Sequence, residues 1–197
     1  LTVGYDVLKN KRMFWAVTRH KVQVTRLPRL GETIHIETWP MPTTRVAYPR
    51  SMVAYDAQGN ELFRSISLWV LIDTESRAMV LPGKSGVDVV GTLKGTELDA
   101  PRSLAPAASG TTAYRTVTYS CLDRNGHMNN TRYLEWIGDL LPAAFHKDHT
   151  PREFTVCYHS EAMEGEPLDI HYEMKEEGLL QVDAWRENNT VSDNHHR

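Results

Sequence analysis

Cysteine is scarce in this 197-residue chain: Cys121 and Cys157 are the two present. Two thiols do not make a disulfide framework, and neither lies among other ligand-type residues at a metal-binding spacing. Both fall in stretches that read as strands, so free thiols in a reducing compartment are expected. An excess of charge is also lacking, since 22 basic side chains face 25 acidic ones and the formal net charge is -3. Wholesale electrostatic binding to nucleic acid or to an anionic membrane is therefore not expected. No uninterrupted apolar run approaches the ~20 residues of a membrane span. The first residues do not read as a secretory signal, although the chain opens on Leu1 and an upstream targeting segment is left open. What is present is an apolar fraction of 41%, enough for a packed core. The length suits one large domain or two small ones.

From Met13 to Leu81 the pattern is that of β-structure. Val22 and Val24 alternate with polar neighbours, as do Ile34 and Ile36, with Pro28 to Gly31 as the turn between. Val46 to Tyr55 and Leu62 to Ile72 read as two further strands joined by a hairpin loop, Asp56 to Asn60. Leu81-Pro82-Gly83 then breaks the pattern, and Gly, Ser, Pro and Ala dominate to Gly110. This stretch reads as a linker with a short helical piece around Val87 to Leu93. A strand is expected from Tyr114 to Leu122. A helix is expected from Asn129 to Ala144, capped by Asn and apolar on the Tyr133, Leu134, Ile137, Leu140 and Leu141 face. Strands follow at Glu153 to Glu161, Pro167 to Met174 and Leu179 to Trp185.

An internal repeat runs beneath this order. Shifted by 134 positions (31 to 165), Gly31-Glu32-Thr33-Ile34-His35-Ile36 falls on Gly165-Glu166-Pro167-Leu168-Asp169-Ile170. The strand order on either side agrees. The pattern predicts two tandem helix-plus-antiparallel-sheet units clipped at both ends, the first with Leu1 to Leu8 as the end of its helix. The second-half counterpart of Leu62 to Ile72 would begin near Thr190 and run past Arg197.

Chemistry concentrates between the expected strand and helix, in Leu122-Asp123-Arg124-Asn125-Gly126-His127-Met128-Asn129-Asn130-Thr131-Arg132-Tyr133. Asp123, Asn125 and His127 occupy alternate positions, which an extended turn can converge on one point. The helix behind them offers unpaired N–H groups and a positive dipole end, suited to a developing oxyanion. The same spacing also fits a polar capping loop, and spacing alone leaves both readings open.

The stretch resembles the Asp-x-Asn-x-His-x-Asn-Asn-x-x-Tyr signature of acyl-acyl-carrier-protein thioesterases, here Asp123, Asn125, His127, Asn129, Asn130 and Tyr133, followed by Trp136. Trp15-Ala16-Val17-Thr18-Arg19, Pro28-Arg29-Leu30-Gly31-Glu32 and Ser67 to Asp73 resemble landmarks of the family's first domain, so the likeness covers nearly the whole chain. The resemblance implies an α+β fold of two tandem hot-dog domains, each a central helix wrapped by an antiparallel sheet. The expected division is residues 1–82 for the acyl-chain domain, 83–110 for the linker and 111–197 for the catalytic domain. It also implies a glutamate in the strand after the helix, usually followed by cysteine in the plant enzymes. Glu161 takes that place, and Ala162 stands where the cysteine would be, so a thiol nucleophile at that position is excluded and Glu161 acting through water is favoured over direct attack.

The implied reaction is hydrolysis of a fatty acyl thioester on acyl carrier protein, with release of free fatty acid. Asp123, Asn125, His127 and Glu161 are the expected catalytic set. Asn129 and Asn130 are expected at the substrate, and Met13, Trp15, Met52 and Trp69 along the acyl chain. No metal or other cofactor is expected. The expected partner is acyl carrier protein, met by basic residues such as Arg45, Arg50, Arg115 and Arg132. Nucleic acid is not expected as a partner, and a homodimer is an option. A bacterial cytoplasmic setting is expected, with a plastid left open. Two alternatives share the fold: a thioesterase acting on coenzyme A esters, and a non-catalytic acyl-binding regulator. No helix-turn-helix or basic stripe favours the regulator.

Overall fold

The computed structural model describes residues 4–106, 110–175 and 178–186. In chain order the elements are α1 (Tyr5–Asn10), β1 (Met13–Val24), β2 (Ile34–Pro40), β3 (Tyr48–Asp56), β4 (Glu61–Asp73), β5 (Met79–Val80) and α2 (Pro82–Ser85). They continue as β6 (Thr111–Thr116), α3 (Asn130–Gly138), α4 (Ala143–Asp148), β7 (Glu153–Cys157), β8 (Pro167–Met174) and β9 (Leu180–Arg186). The strands pair antiparallel throughout, which makes this an α+β fold. Backbone contacts divide the chain into two compact units, Leu1–Ser103 with Thr150–His159, and Leu104–His149 with Ser160–Arg197.

Among the described residues the first unit is a sheet in the order β2-β3-β4-β1-β7, with β5 on β4. Asp56 closes the β3–β4 hairpin by accepting the backbone N–H groups of Gln58 (3.0 Å) and Asn60 (2.8 Å). Residues opposite one another in such a ladder share a face. Trp15 opposes Leu71 and Tyr48 opposes Trp69, so these four lie on one side. There Leu8 of α1 packs with Met13, Tyr48, Leu71 and Val87 as a buried cluster. Trp15 meets Tyr48 edge-on at 4.9 Å, and the Tyr48 hydroxyl lies 2.7 Å from Ser85 Oγ.

The opposite side carries buried Ser51, Val53 and Ile66. Its polar fringe is tied to the chain that follows α2. Arg64 donates to the Thr96 carbonyl at 2.5 Å, the Trp39 indole to Glu97 at 3.0 Å, and Arg19 to the Pro101 carbonyl at 3.2 Å. The helical piece expected at Val87 to Leu93 is absent. The helix lies earlier, at Pro82–Ser85, where proline fits a first turn, and Gly86 ends it at φ 60°. Beyond it the chain runs as an extended strap. A Cβ on Gly91 would sit 2.1 Å from the Met41 carbonyl carbon, so only glycine permits that approach.

In the second unit the described strands order β6-β8-β9. Val117, Cys121, Met128, Ala162 and Leu168 form its buried cluster, and Tyr133 and Trp136 of α3 pack against it. The single helix expected from Asn129 to Ala144 is broken in two. Pro142 has no N–H to donate and restricts Leu141, so α3 ends at Gly138 and α4 starts after the proline. The strand expected from Tyr114 to Leu122 stops at Thr116, and a 3-10 turn, Tyr119–Cys121, follows.

The sequence repeat is visible as a shared turn. Gly31 and Gly165 both take the left-handed conformation, at φ 80° and 82°. Glu32 and Glu166 follow, and each carboxylate accepts the backbone N–H three residues earlier, from Arg29 at 2.7 Å and Met163 at 3.0 Å. The strands β2 and β8 leave these two turns. The expected counterpart of Leu62 to Ile72 near Thr190 lies outside the described residues.

Candidate active site

Leu122 to Asn129 forms a closed loop held by its own polar groups. The Asp123 N–H donates to the His127 carbonyl at 2.8 Å, and Leu122 bridges Met128 across the loop. One Asp123 carboxylate oxygen accepts the N–H groups of Asn125 (2.8 Å) and His127 (3.1 Å). Gly126 supplies the turn at φ 79°, a conformation a side chain would strain. Asn129 then caps α3, accepting from the Thr131 N–H at 3.0 Å and its hydroxyl at 2.8 Å.

Two backbone contacts bring the second half of the site to this loop. The Met128 N–H donates to the Ala162 carbonyl at 2.8 Å, and His127 bridges Met163. The side chains at the adjoining positions meet: His127 Nδ1 lies 3.4 Å from Glu161 Oε1. The imidazole is 21% and the carboxylate 37% exposed, so the pair is open to solvent on one side. Ala162 beside it is buried against Val117, Cys121, Met128 and Leu168. The Tyr133 phenol of α3 is pushed above its ordinary pKa by burial.

Of the residues expected to act, the structure places Asp123, Asn125, His127 and Glu161 around one loop and brings His127 and Glu161 into contact. Asp123 spends a carboxylate oxygen on backbone N–H groups, and Asn125 is exposed. Asn129 acts as a cap, and Asn130 is exposed at the first residue of α3. Met13, Trp15 and Trp69 share the apolar cluster of the first unit, whereas Met52 lies along β3 outside it. Cys157 is in the first unit, its thiol 3.7 Å from the Arg102 carbonyl. Shallow depressions of about 530 Å³ at Arg26, Arg29 and Glu32, and about 450 Å³ at His35, Tyr55 and Asp56, include no residue of the expected site. Among the described residues no three His, Cys, Asp or Glu side chains gather as a metal site would require.

Sequence reasoning missed Arg186 at the end of β9. Its guanidinium donates to the Glu161 carbonyl, to Ser160 Oγ at 3.3 Å and to the Glu166 carboxylate at 3.1 Å. Glu166 is held below the ordinary carboxylate range, first by the Met163 N–H and then by Arg186. The repeat points at Glu166, but the arginine comes from a strand with no matching signal.

Two family models together match most of the chain. The acyl-ACP thioesterase N-terminal domain model matches residues 1–81, and the acyl-ACP thioesterase C-terminal domain model matches residues 105–196. A chloroplastic dodecanoyl-[acyl-carrier-protein] hydrolase of Cinnamomum camphora is 27% identical over 164 residues, which are 78% of this chain and 43% of that protein. The chain thus spans about two fifths of the curated relatives it matches first. An acyl-ACP thioesterase from Bacteroides thetaiotaomicron superposes with a TM-score of 0.83 at 25% identity, over 93% of this chain and 75% of the other. A 12:0-ACP thioesterase from Umbellularia californica superposes at 0.75 with 23% identity, over 91% and 73%. MaoC-like hot-dog proteins share the fold more distantly, one with a TM-score of 0.55 at 9% identity. The tandem hot-dog architecture expected from the sequence is therefore the fold of this chain.

Proposed function

Because the chain belongs to the acyl-ACP thioesterase family, we propose that it hydrolyses the thioester between a fatty acyl chain and acyl carrier protein. The observation that carries this reading is the His127–Glu161 contact at 3.4 Å, made where a capped helix begins. A carboxylate beside an imidazole can accept a proton from a water positioned between them and the carbonyl. The water oxygen bonds to the thioester carbon while its proton passes to Glu161. The oxyanion that forms is stabilised by the positive dipole end of α3. Its collapse breaks the carbon–sulfur bond, and the leaving thiolate takes the proton back from Glu161. Asp123 contributes by fixing the backbone of Asn125 and His127, and Asn125 by orienting water or carbonyl. Met13, Trp15, Met52 and Trp69 are assigned to the acyl chain on the resemblance, with clustering in support for the first, second and fourth. On this reading acyl-chain binding belongs to the first unit and the catalytic set to the second.

The same contact supports a second arrangement. Nδ1–H of His127 can donate to Glu161, leaving Nε2 to take the proton from water, with the carboxylate orienting the ring. Glu161→Gln separates the two, because glutamine keeps an acceptor for Nδ1–H and cannot act as a base. With Glu161 as base, kcat on dodecanoyl- and hexadecanoyl-carrier-protein esters falls by about 10²-fold or more. With His127 as base it falls by less than about tenfold, while His127→Ala is the severe variant. If both variants keep near-normal kcat, hydrolysis at this loop is ruled out. Cys157→Ser is expected to leave kcat unchanged.

Specificity for the carrier is tested by comparing carrier-protein and coenzyme A esters of one chain length. A higher kcat/KM for the carrier ester is expected. Equal values assign the protein to acyl thioesters in general. Arg132, partly exposed on α3 and paired with Glu135 at 2.5 Å, lies three residues beyond the loop. Its charge reversal is expected to raise KM for the carrier ester more than for the coenzyme A ester.

A further inference from the structure

The two units share a clamp as well as a turn. In the first, Arg26 donates to the Leu27 carbonyl at 3.2 Å and to both oxygens of Glu32, at 2.8 and 2.6 Å. In the second, Arg186 donates to the Glu161 carbonyl and to the Glu166 carboxylate. With the 134-position offset, Leu27 falls on Glu161 and Glu32 on Glu166, so the two guanidinium groups grip equivalent atoms. The arginines themselves are not equivalent. Arg26 falls on Ser160, and the second unit supplies its guanidinium from β9, with Ser160 as a third partner at 3.3 Å.

In the first unit the device ties two turns, since Arg26 also reaches Asp56 at 3.3 Å, and the clamped residue is an exposed leucine. In the second it is Glu161. The carbonyl of Glu161 is fixed on one side by Arg186, and the next carbonyl, of Ala162, by the Met128 N–H at 2.8 Å. Those two restraints set where the backbone of Glu161 lies relative to His127. We propose that Arg186 is a positioning residue for the reaction: with Glu166 as its anchor, it holds Glu161 within reach of His127. The proposal rests on the reading of Glu161 as a reacting group, either as base or as the partner of His127. Arg186 is itself exposed, so its worth lies in geometry and not in ion-pair strength. A misplacement on the order of 1 Å costs about 10²-fold in rate.

The test compares the two clamps in the intact chain. Arg26→Met is expected to lower the melting temperature and leave kcat within about twofold. Arg186→Met is expected to lower kcat by about 10- to 100-fold with KM changed less than about threefold. Arg186→Lys restores only part of that loss, because one ammonium cannot span the Glu161 carbonyl, Ser160 and Glu166 together. In a Glu161→Gln background, Arg186→Met is expected to add almost nothing. A loss of stability alone in Arg186→Met, matching Arg26→Met, overturns the proposal, and so does full additivity with Glu161→Gln. Should Arg186→Met not fold, Glu166→Ala removes the anchor instead, and wild-type kcat in the folded Glu166→Ala protein overturns it equally. Near-normal activity in Glu161→Gln and His127→Ala would remove the catalytic reading. A silent Arg186→Met beside an impaired Glu161→Gln would remove the clamp and leave that reading standing.

Discussion

Asp123 shows how a catalytic-looking residue is used when its contacts are followed. One carboxylate oxygen receives two backbone N–H groups, which holds the shape of the loop. Asp123→Asn keeps an acceptor oxygen and is expected to cost about 1 kcal/mol, the difference between a charged and a neutral acceptor. Asp123→Ala leaves both donors unmatched and is expected to lower kcat by about 10²-fold, read as kcat together with a thermal melt. Gly126→Ala is expected to destabilise by about 1–2 kcal/mol, since its φ of 79° is left-handed although space for a methyl is free. At this scale the sequence was informative where the chemistry is local. Asp123, Asn125 and His127 stand at alternate positions of one segment, and the loop is built from that segment alone. Glu161 lies over thirty residues away and was reached through family resemblance. Arg186 was not legible, because its partners belong to a different turn and its own neighbourhood is an ordinary strand.

Elements were legible where periodicity is strong and blurred where chain-breaking residues act. β3 and β4 lie close to the expected Val46 to Tyr55 and Leu62 to Ile72, and the hairpin loop is the Asp56 to Asn60 turn. The apolar face continues on either side of Pro142, yet the proline ends the helix as its missing N–H requires. Val87 to Leu93 is tied to the sheet by the Tyr48 hydroxyl at the Val87 carbonyl (3.3 Å) and by the Thr92 N–H at the Pro40 carbonyl (2.9 Å), a long-range effect that periodicity does not carry. Two outcomes belong to elements. Asn129→Ala removes the cap of α3 and is expected to cost about 1 kcal/mol, seen as a lower melting temperature. The Arg26–Glu32 clamp should also mark the pH dependence of stability. Arg26 holds the Glu32 pKa at about 2, against 4.5 unperturbed. Its contribution is present above pH about 4.5 and is lost as pH falls towards about 2. Glu32→Gln is therefore expected to melt lower than wild type at pH 7, and the gap should close across that window.

On the scale of the molecule, the telling feature is β7. It follows the Asp123 to His127 loop in sequence, yet it pairs with β1, from Gln23 against Glu153 to Arg19 against Cys157. The Thr18 carbonyl, at the bulge in β1, accepts the Tyr158 N–H at 2.8 Å and ends the pairing. Periodicity named this strand but could not name its partner, since both edges of a strand look alike in sequence. A fragment of residues 1–103 is expected to be aggregation-prone, with β1 left as an open edge. Adding a peptide of residues 150–159 in trans should raise its solubility, measured by sedimentation. Equal solubility with and without the peptide would show that the edge is protected by other means.

The same pairing sets a timetable for synthesis. When Ser103 has been made, β1 can already lie against β4, but its other partner ends at Cys157, 54 residues later (157 − 103). At translation rates of roughly 5–20 residues per second, that edge waits on the order of 3–11 s for its last strand. During those seconds Arg19, Lys21 and Gln23 line the waiting strand, charged or polar at alternate positions. They discourage a neighbouring nascent chain from taking the place that β7 is about to fill.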